Sequence, residues 1–378
     1  MHAILAISGS HLSVLIDDPN SNMALMHRQT AITGLEEAFA RWPPKAEEAH
    51  VMLAACYLLA FQSSYMPDGL LDHIISLRGC AFVAQMILQY QLPGTFSVDS
   101  NMHSTSIELK LRNFPALDQH LARDALQSLA ELGPLLEDAA AHDIERALFA
   151  QLVGCLQPLL LPVLDDFVAQ ETTPPTSDPS SPTEAPFTVP SPNPYIKHPL
   201  IPSSPTADFD KIMRQIHNNT LLWAHPGTTP QPQLSFNALM SSLLILTTWP
   251  QSAVLHLFSP TNPRGAIVLA HFIAVRFIVS PLSAPKSAMR TPVSAMVEWF
   301  EKILEGVGDA AGATSNTGNG KEHERIDWEK YVAWPRKVLR TLRSLVNQNR
   351  ALKFGDILEV LMEDPGAFRE GRPRALRV

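Results

Sequence analysis

The sequence predicts an all-α protein: a multi-helix bundle of antiparallel helical hairpins, interrupted by a long Pro/Ser-rich disordered insertion. Three observations predict it. Apolar residues recur every three or four positions, and no stretch alternates with the period of two that a strand requires. Leu, Ala, Met, Gln and Glu, all good helix formers, dominate outside the loops. The run Asn262 to Val279, NPRGAIVLAHFIAVRFIV, is apolar around most of a helix circumference, the mark of a helix buried on most sides. Asn262 is a polar cap, and Pro263 sits where a missing N–H costs nothing. Arg264, His271 and Arg276 divide the run and Pro281 ends it, so it reads as the central helix of a core and not as a membrane span.

The other elements follow in order. His2 to Ile16 places Ile4, Leu5, Ile7, Leu12 and Leu15 near one face, and Asp17 to Asn20 break it. Ser21 to Arg41 turns Leu25, Ile32, Leu35 and Phe39 inward and stops at Pro43 and Pro44. Lys45 to Ser64 has a broad apolar face of Val51, Met52, Ala55, Leu58, Leu59 and Phe61. Asp68 caps a fourth helix to about Tyr90, with Leu71, Ile74, Ile75, Leu77, Phe82, Val83, Met86 and Ile87 inward. Short turns between these four predict side-by-side antiparallel hairpins. Pro115 opens a block with Leu117, Leu121, Leu126, Leu129 and Leu132, which Gly133 and Pro134 punctuate. Leu135 to Gln157 continues it and Leu164 to Gln170 finishes it.

Residues 171–208 are a different material. Eleven prolines interleaved with Ser and Thr can form neither helix nor central strand and bury little, which predicts a disordered linker with Ser-Pro and Thr-Pro steps suited to proline-directed kinases. The second half resumes with Phe209 to Trp223, Gln233 to Trp249, Gln251 to Phe258, the central helix, and Pro292 to Val307. Gly306 to Lys321 reads as a surface loop. Asp327 to Met362 is basic on one side (Arg336, Lys337, Arg340, Arg343) and apolar on the other. The expected organisation is an N-terminal helical half (1–170), a linker (171–208), a C-terminal helical half (209–368) and a frayed tail (369–378).

The 378 residues carry a formal net charge of -8, which disfavours a general nucleic-acid surface. Cys56, Cys80 and Cys155 form neither a C-x-x-C pair nor a Cys/His cluster, so they read as buried reduced thiols, with no metal site and no secreted disulfide framework. The first sixteen residues lack a basic leader and are interrupted by His2 and His11, so they fit a first helix better than a signal peptide.

No reaction is legible. Ser8-Gly9-Ser10-His11 lies in a helix, not on a strand-to-helix elbow. His2, His11, His27 and His50 share no ligand spacing, and His217 and His225 stand eight apart around Trp223. No glycine-rich phosphate loop is present, so no cofactor is expected and the chain does not read as an enzyme. His271 is the exception worth following: an imidazole inside the most apolar helix needs a polar partner. Met240, Phe272, Phe277, Met296, Trp299 and Phe300 supply bulky side chains from three neighbouring helices, as a core or as the wall of an apolar pocket. The candidate ligand-binding set is Met240, Leu243, Leu244, His271, Phe272, Val275, Met296 and Trp299.

Several stretches together resemble the regulatory domain of fungal zinc-cluster transcription factors, in the branch of the sterol uptake control proteins. They are HAILAISGSHLSVL at the start, His27-Arg28-Gln29-Thr30-Ala31-Ile32 with Leu35, Met52-Leu53-Ala54-Ala55-Cys56-Tyr57-Leu58-Leu59-Ala60-Phe61, Asp72-His73 through Gly79, Asn262-Pro263 with Leu269-Ala270-His271-Phe272, and Trp334-Pro335. The resemblance implies an all-helical, nuclear (or shuttling) regulator of transcription, with a pocket for a sterol or another lipid. The family's six-cysteine zinc cluster is not in this sequence, so no direct sequence-specific DNA binding is expected, and a truncated gene product without independent activity is one reading. The other alternative is a ligand-free scaffold for homodimers or a co-regulator protein. A lined cavity favours sensing; a filled core beside an exposed apolar patch favours the scaffold.

Overall fold

A computed structural model describes residues 1–16, 22–95, 117–161, 205–222, 230–283, 292–314 and 326–374. Among these, every regular element is helical, and the only strand-like pairing is an isolated bridge between Pro292 and Lys353. The N-terminal layer is α1 (His2–Ile16), α2 (Asn22–Ala40), α3 (Ala46–Ser63) and α4 (Leu70–Gln89). Next come α5 (Gln119–Glu137) and α6 (Asp143–Leu156), which ends in a 3-10 turn, Gln157–Leu159. The C-terminal half holds α7 (Pro205–His217), α8 (Pro232–Thr248), α9 (Gln251–Leu257), α10 (Pro263–Ile278), α11 (Ser280–Ser283) and α12 (Ser294–Thr314). It closes with α13 (Trp328–Tyr331), α14 (Ala333–Gln348), α15 (Phe354–Glu363) and α16 (Pro365–Glu370).

The central helix is where the sequence puts it. Its buried residues include Ile267 through Val275 without a gap, and α10 packs against α5, α6, α12 and α14. Asn262 caps it: the side-chain carbonyl accepts from Gly265 N at 3.0 Å, while its amide donates to Glu145 Oε1 at 2.6 Å and to the His256 carbonyl at 3.2 Å. Glu145 is wholly buried at the start of α6 and also accepts from the His142 N–H at 2.9 Å. One polar knot thus ties two helix starts together.

The main core runs from Leu70 to Phe368, so the two halves share one hydrophobic interior. The connection between them is made by α4 and α6, both of which pack on α8. Arg78 donates to the Leu246 carbonyl at 3.2 Å across this contact. A smaller cluster between α2, α3 and α4 includes Ala49, Met52, Cys56, Cys80 and Val83.

Several expectations are corrected. In the N-terminal layer the large apolar side chains predicted to face inward often face out: Leu25, Val51, Phe61, Ile75 and Phe82 are exposed. Met52, Leu59, Ile74, Val83, Met86 and Ile87 are buried as predicted, but small residues (Ala24, Ala49, Ala60, Ser63) and hydrogen-bonded polar ones (Arg28, Gln62) share the interior with them. Gly69, not Asp68, stands at the start of α4, where an added Cβ would overlap the Ser63 carbonyl. Gly133 and Pro134 do not end α5, which runs to Glu137; Gly133 leaves room for Met213 and Ile216 of α7. Gly306 lies within α12 and not in a loop, since the apolar face carrying Phe300, Leu304 and Val307 continues past it.

Most of the expected linker lies outside the described residues, but its last four positions, Pro205 to Asp208, begin α7. The tail is docked through Arg374. Phe368 is fully buried, Arg369 Nε meets Asp124 Oδ2 at 2.8 Å, and Thr341 Oγ1 donates to the Ala367 carbonyl at 2.8 Å. Gly371, at φ 70°, supplies the left-handed residue that closes α16.

Candidate functional site

The eight candidate residues do not form one wall. Phe272, Val275, Met296 and Trp299 are buried at the level of α10 and α12, which pack together. Met240, Leu243 and Leu244 are only partly buried on α8, which packs on α6 and α4 and has no substantial contact with α10. The inward face of α8 is instead small and polar: Ser235, Ser241 and Ser242 are buried beside Leu239 and Ile245. The Ser235 hydroxyl donates to the Cys155 carbonyl, and Ala238 would lie 3.3 Å from a Cβ placed on Gly154. A period-3.6 reading ranks Leu243 above Ser242; the close approach of α6 reverses that order.

His271 is fully buried and both ring nitrogens are engaged. Nδ1 lies 2.9 Å from the Ile267 carbonyl and Nε2 2.9 Å from Ser128 Oγ. A carbonyl only accepts, so Nδ1 carries the proton and the Ser128 hydroxyl donates to Nε2. The ring lies nearly parallel to that of Trp334, 6.0 Å away between centroids. Burial pushes its pKa down to about 4, against the Ile267 carbonyl bond, which raises it. A neutral histidine with both nitrogens held by protein has nothing left with which to anchor a ligand hydroxyl, so the geometry makes His271 a core strut.

Trp299 lies elsewhere. Its Nε1 donates to the Met66 carbonyl at 2.6 Å, and its ring sits 5.8 Å from that of His73 on α4. His73 donates from Nδ1 to the Ala60 carbonyl at 2.8 Å. Its pKa is pushed down to about 4, first by burial and then by the nearby charge of Arg276. Arg276 follows His271 by five residues, roughly 140° around the helix at 3.6 residues per turn. One helix therefore offers two unrelated polar positions, one toward Ser128 and one toward His73.

A second feature was not legible as such in the sequence. On α1 the buried positions are Ala3, Ala6 and Ser10, with Gly9 set close against Ala24 of α2. Ile4, Leu5, Leu12, Leu15 and Ile16 all face outward, between 40% and 62% exposed. At about 100° per residue they fall within an arc of roughly 120°. The helix has no Asp, Glu, Lys or Arg. Met23, Leu25 and Met26 on α2 are exposed as well. Among the described residues α4 is the one helix long and apolar enough by itself to cross a membrane, and it packs on α3 and α8 here.

Among the described residues no group of three or more His, Cys, Asp or Glu is disposed to hold a metal ion. Compared with known proteins, the chain matches no family model, no curated protein and no solved structure.

Proposed function

We propose that the chain is a transcription-regulatory helical domain of the nucleus that works by association, docking a second copy of itself through the outward face of α1. The regulatory part of this reading rests on the sequence resemblance to fungal zinc-cluster factors. The mode of action rests on one observation: α1 turns Ala3, Ala6 and Ser10 inward and Ile4, Leu5, Leu12, Leu15 and Ile16 to solvent. An uncharged apolar face is its own complement, so two copies can meet about a twofold axis with each residue used twice. Fully burying a Leu or Ile is worth at least about 1.5 kcal/mol. The side chains are already about half buried, so ten of them gain roughly half of that each, about 7 kcal/mol, within the roughly 4–15 kcal/mol that association costs. The net charge of -8, together with the pairing of Arg336 and Arg343 of α14 with Glu329 of α13 and Glu301 of α12, makes the chain a poor neutraliser of DNA phosphates.

Sedimentation velocity over a concentration series tests the association. The wild-type chain should shift from monomer to dimer, and Leu12→Glu, which places a charge on an exposed position, should remain monomeric with unchanged helicity. A wild-type chain that stays monomeric at high micromolar concentration overturns the reading. Tethering the chain to an unrelated DNA-binding domain in a reporter assay tests the regulatory part separately.

A further inference from the structure

His2 and His27 stand 25 positions apart in sequence and side by side in the fold, with Nδ1 of one ring 3.0 Å from Nδ1 of the other. The ring centroids are 5.1 Å apart and the planes are tilted by 45°. His2 opens α1 and is exposed; His27 lies in the second turn of α2 and is half-buried. The contact follows from small-residue packing. Ala3 and Ala6 are buried and Gly9 sets against Ala24, so α1 and α2 run close enough for side chains at their rims to touch across the seam.

Two imidazoles at this separation meet in one of two ways. In a hydrogen bond one Nδ1 donates and the other accepts. In a chelate both lone pairs turn toward a third point, and the terminal ring torsion of histidine is broad enough to permit the turn. Metal–nitrogen bonds of about 2.0–2.1 Å drawn from two nitrogens 3.0 Å apart subtend roughly 90–100°. That is the cis angle of a tetragonal nitrogen site, the geometry of copper(II) and nickel(II), and it is narrower than the tetrahedral angle of zinc. Among these divalent ions copper(II) binds nitrogen donors most tightly. No third His, Cys, Asp or Glu joins the pair among the described residues, so water completes the coordination shell.

We propose that His2 and His27 form a two-histidine chelate for a copper(II) ion that clips the start of α1 to α2. The two ligands come from different helices, so only the folded arrangement holds the ion with both, and binding stabilises that arrangement by mass action. The site is separate from the association face. His2 falls about 40° around α1 beyond Ile16, outside the arc of the exposed Leu and Ile side chains, so Leu12→Glu should leave metal binding intact.

Isothermal titration calorimetry of the full chain with copper(II), nickel(II) and zinc(II) chloride in a weakly coordinating buffer tests the proposal, together with EPR of the copper form. The tightest copper equivalent should show coupling to two nitrogens and raise the melting temperature, and nickel and zinc should bind at least about tenfold more weakly. His2→Gln and His27→Gln should each weaken that equivalent by about tenfold or more with unchanged helicity, and the double variant should lose little beyond either one, since a single imidazole is no chelate. His2 is exposed, so its variant carries the test even if the half-buried position 27 tolerates Gln poorly. His256→Gln, in another close imidazole pair with centroids 3.9 Å apart, should leave the equivalent unchanged. The proposal is overturned if copper does not bind, if zinc binds as tightly, if only one nitrogen couples, or if His2→Gln weakens binding no more than His256→Gln.

Discussion

Ser128 and His271 stand 143 positions apart in sequence and 2.9 Å apart in the fold. The bond joins α5 to the middle of the central helix and fixes the imidazole in one neutral tautomer. Ser128→Ala leaves Nε2 buried without a donor, a loss of about 1–3 kcal/mol. Urea unfolding at neutral pH should show it as a lower midpoint with an unchanged slope; a midpoint equal to wild type would mean that the bond contributes nothing.

The same histidine sets a pH dependence. His271 and His73 both titrate near 4 when folded, below the ordinary 6.5. Between those values the unfolded chain binds more protons than the folded one, so stability rises with pH. Their contribution is fully present above about pH 6.5 and is lost as pH falls toward 4, by up to about 1.4 kcal/mol per pH unit for each residue. His271→Gln should flatten that slope in a melting series from pH 7 to 4.5.

The cap of the central helix is coupled to a buried acid. Asn262→Ala removes the bond to Gly265 and also strips Glu145 of its amide donor. The cap alone is worth about 1 kcal/mol, and an unpaired buried acceptor adds about 1–3 kcal/mol. Asn262→Asp keeps the cap acceptor but sets a second carboxylate against Glu145. It should therefore recover stability on acidification, where Asn262→Ala should not; chemical denaturation at pH 7 and pH 5 distinguishes the two.

Arg28 is held inside the N-terminal layer by the Leu59 carbonyl at 3.2 Å, Gln62 Oε1 at 3.0 Å and Asp72 Oδ2 at 3.0 Å, and Gln62 in turn donates to Ser10 Oγ at 3.2 Å. Asp72 is about half exposed (46%), so Asp72→Asn lets the group rehydrate and should cost under about 1 kcal/mol. Arg28→Ala leaves buried acceptors unpaired and should cost about 2–4 kcal/mol. Equal losses from the two variants would contradict this arrangement.

Two glycines should respond in opposite directions. Gly34 is exposed on α2, and a methyl group added there would meet nothing within 4 Å, so Ala should stabilise by about 0.5–1 kcal/mol through better helix propensity. At Gly69 a methyl would overlap the Ser63 carbonyl, so Ala should destabilise. Thermal melts of the two single variants decide the point.

The features legible in the chain alone are local. The 3.6-residue period established the helices, Asn262 and Pro263 marked the start of the central one, and its apolarity all round required its burial. Direction and partnership came from the folded arrangement. On α1 a large apolar stripe and a small-residue stripe share one helix, and periodicity reveals both without saying which packs. Close approach to α2 selected the small one, because Gly9 and Ala24 leave no room for a leucine between them. Likewise His271 and Arg276 look alike in sequence, two polar interruptions of one apolar run. The first meets Ser128 and becomes a strut; the second keeps some exposure and places its charge near His73 of α4. Such pairings join residues far apart in the chain, and a single sequence carries no physical signal of which distant residue will fill the space beside a given one.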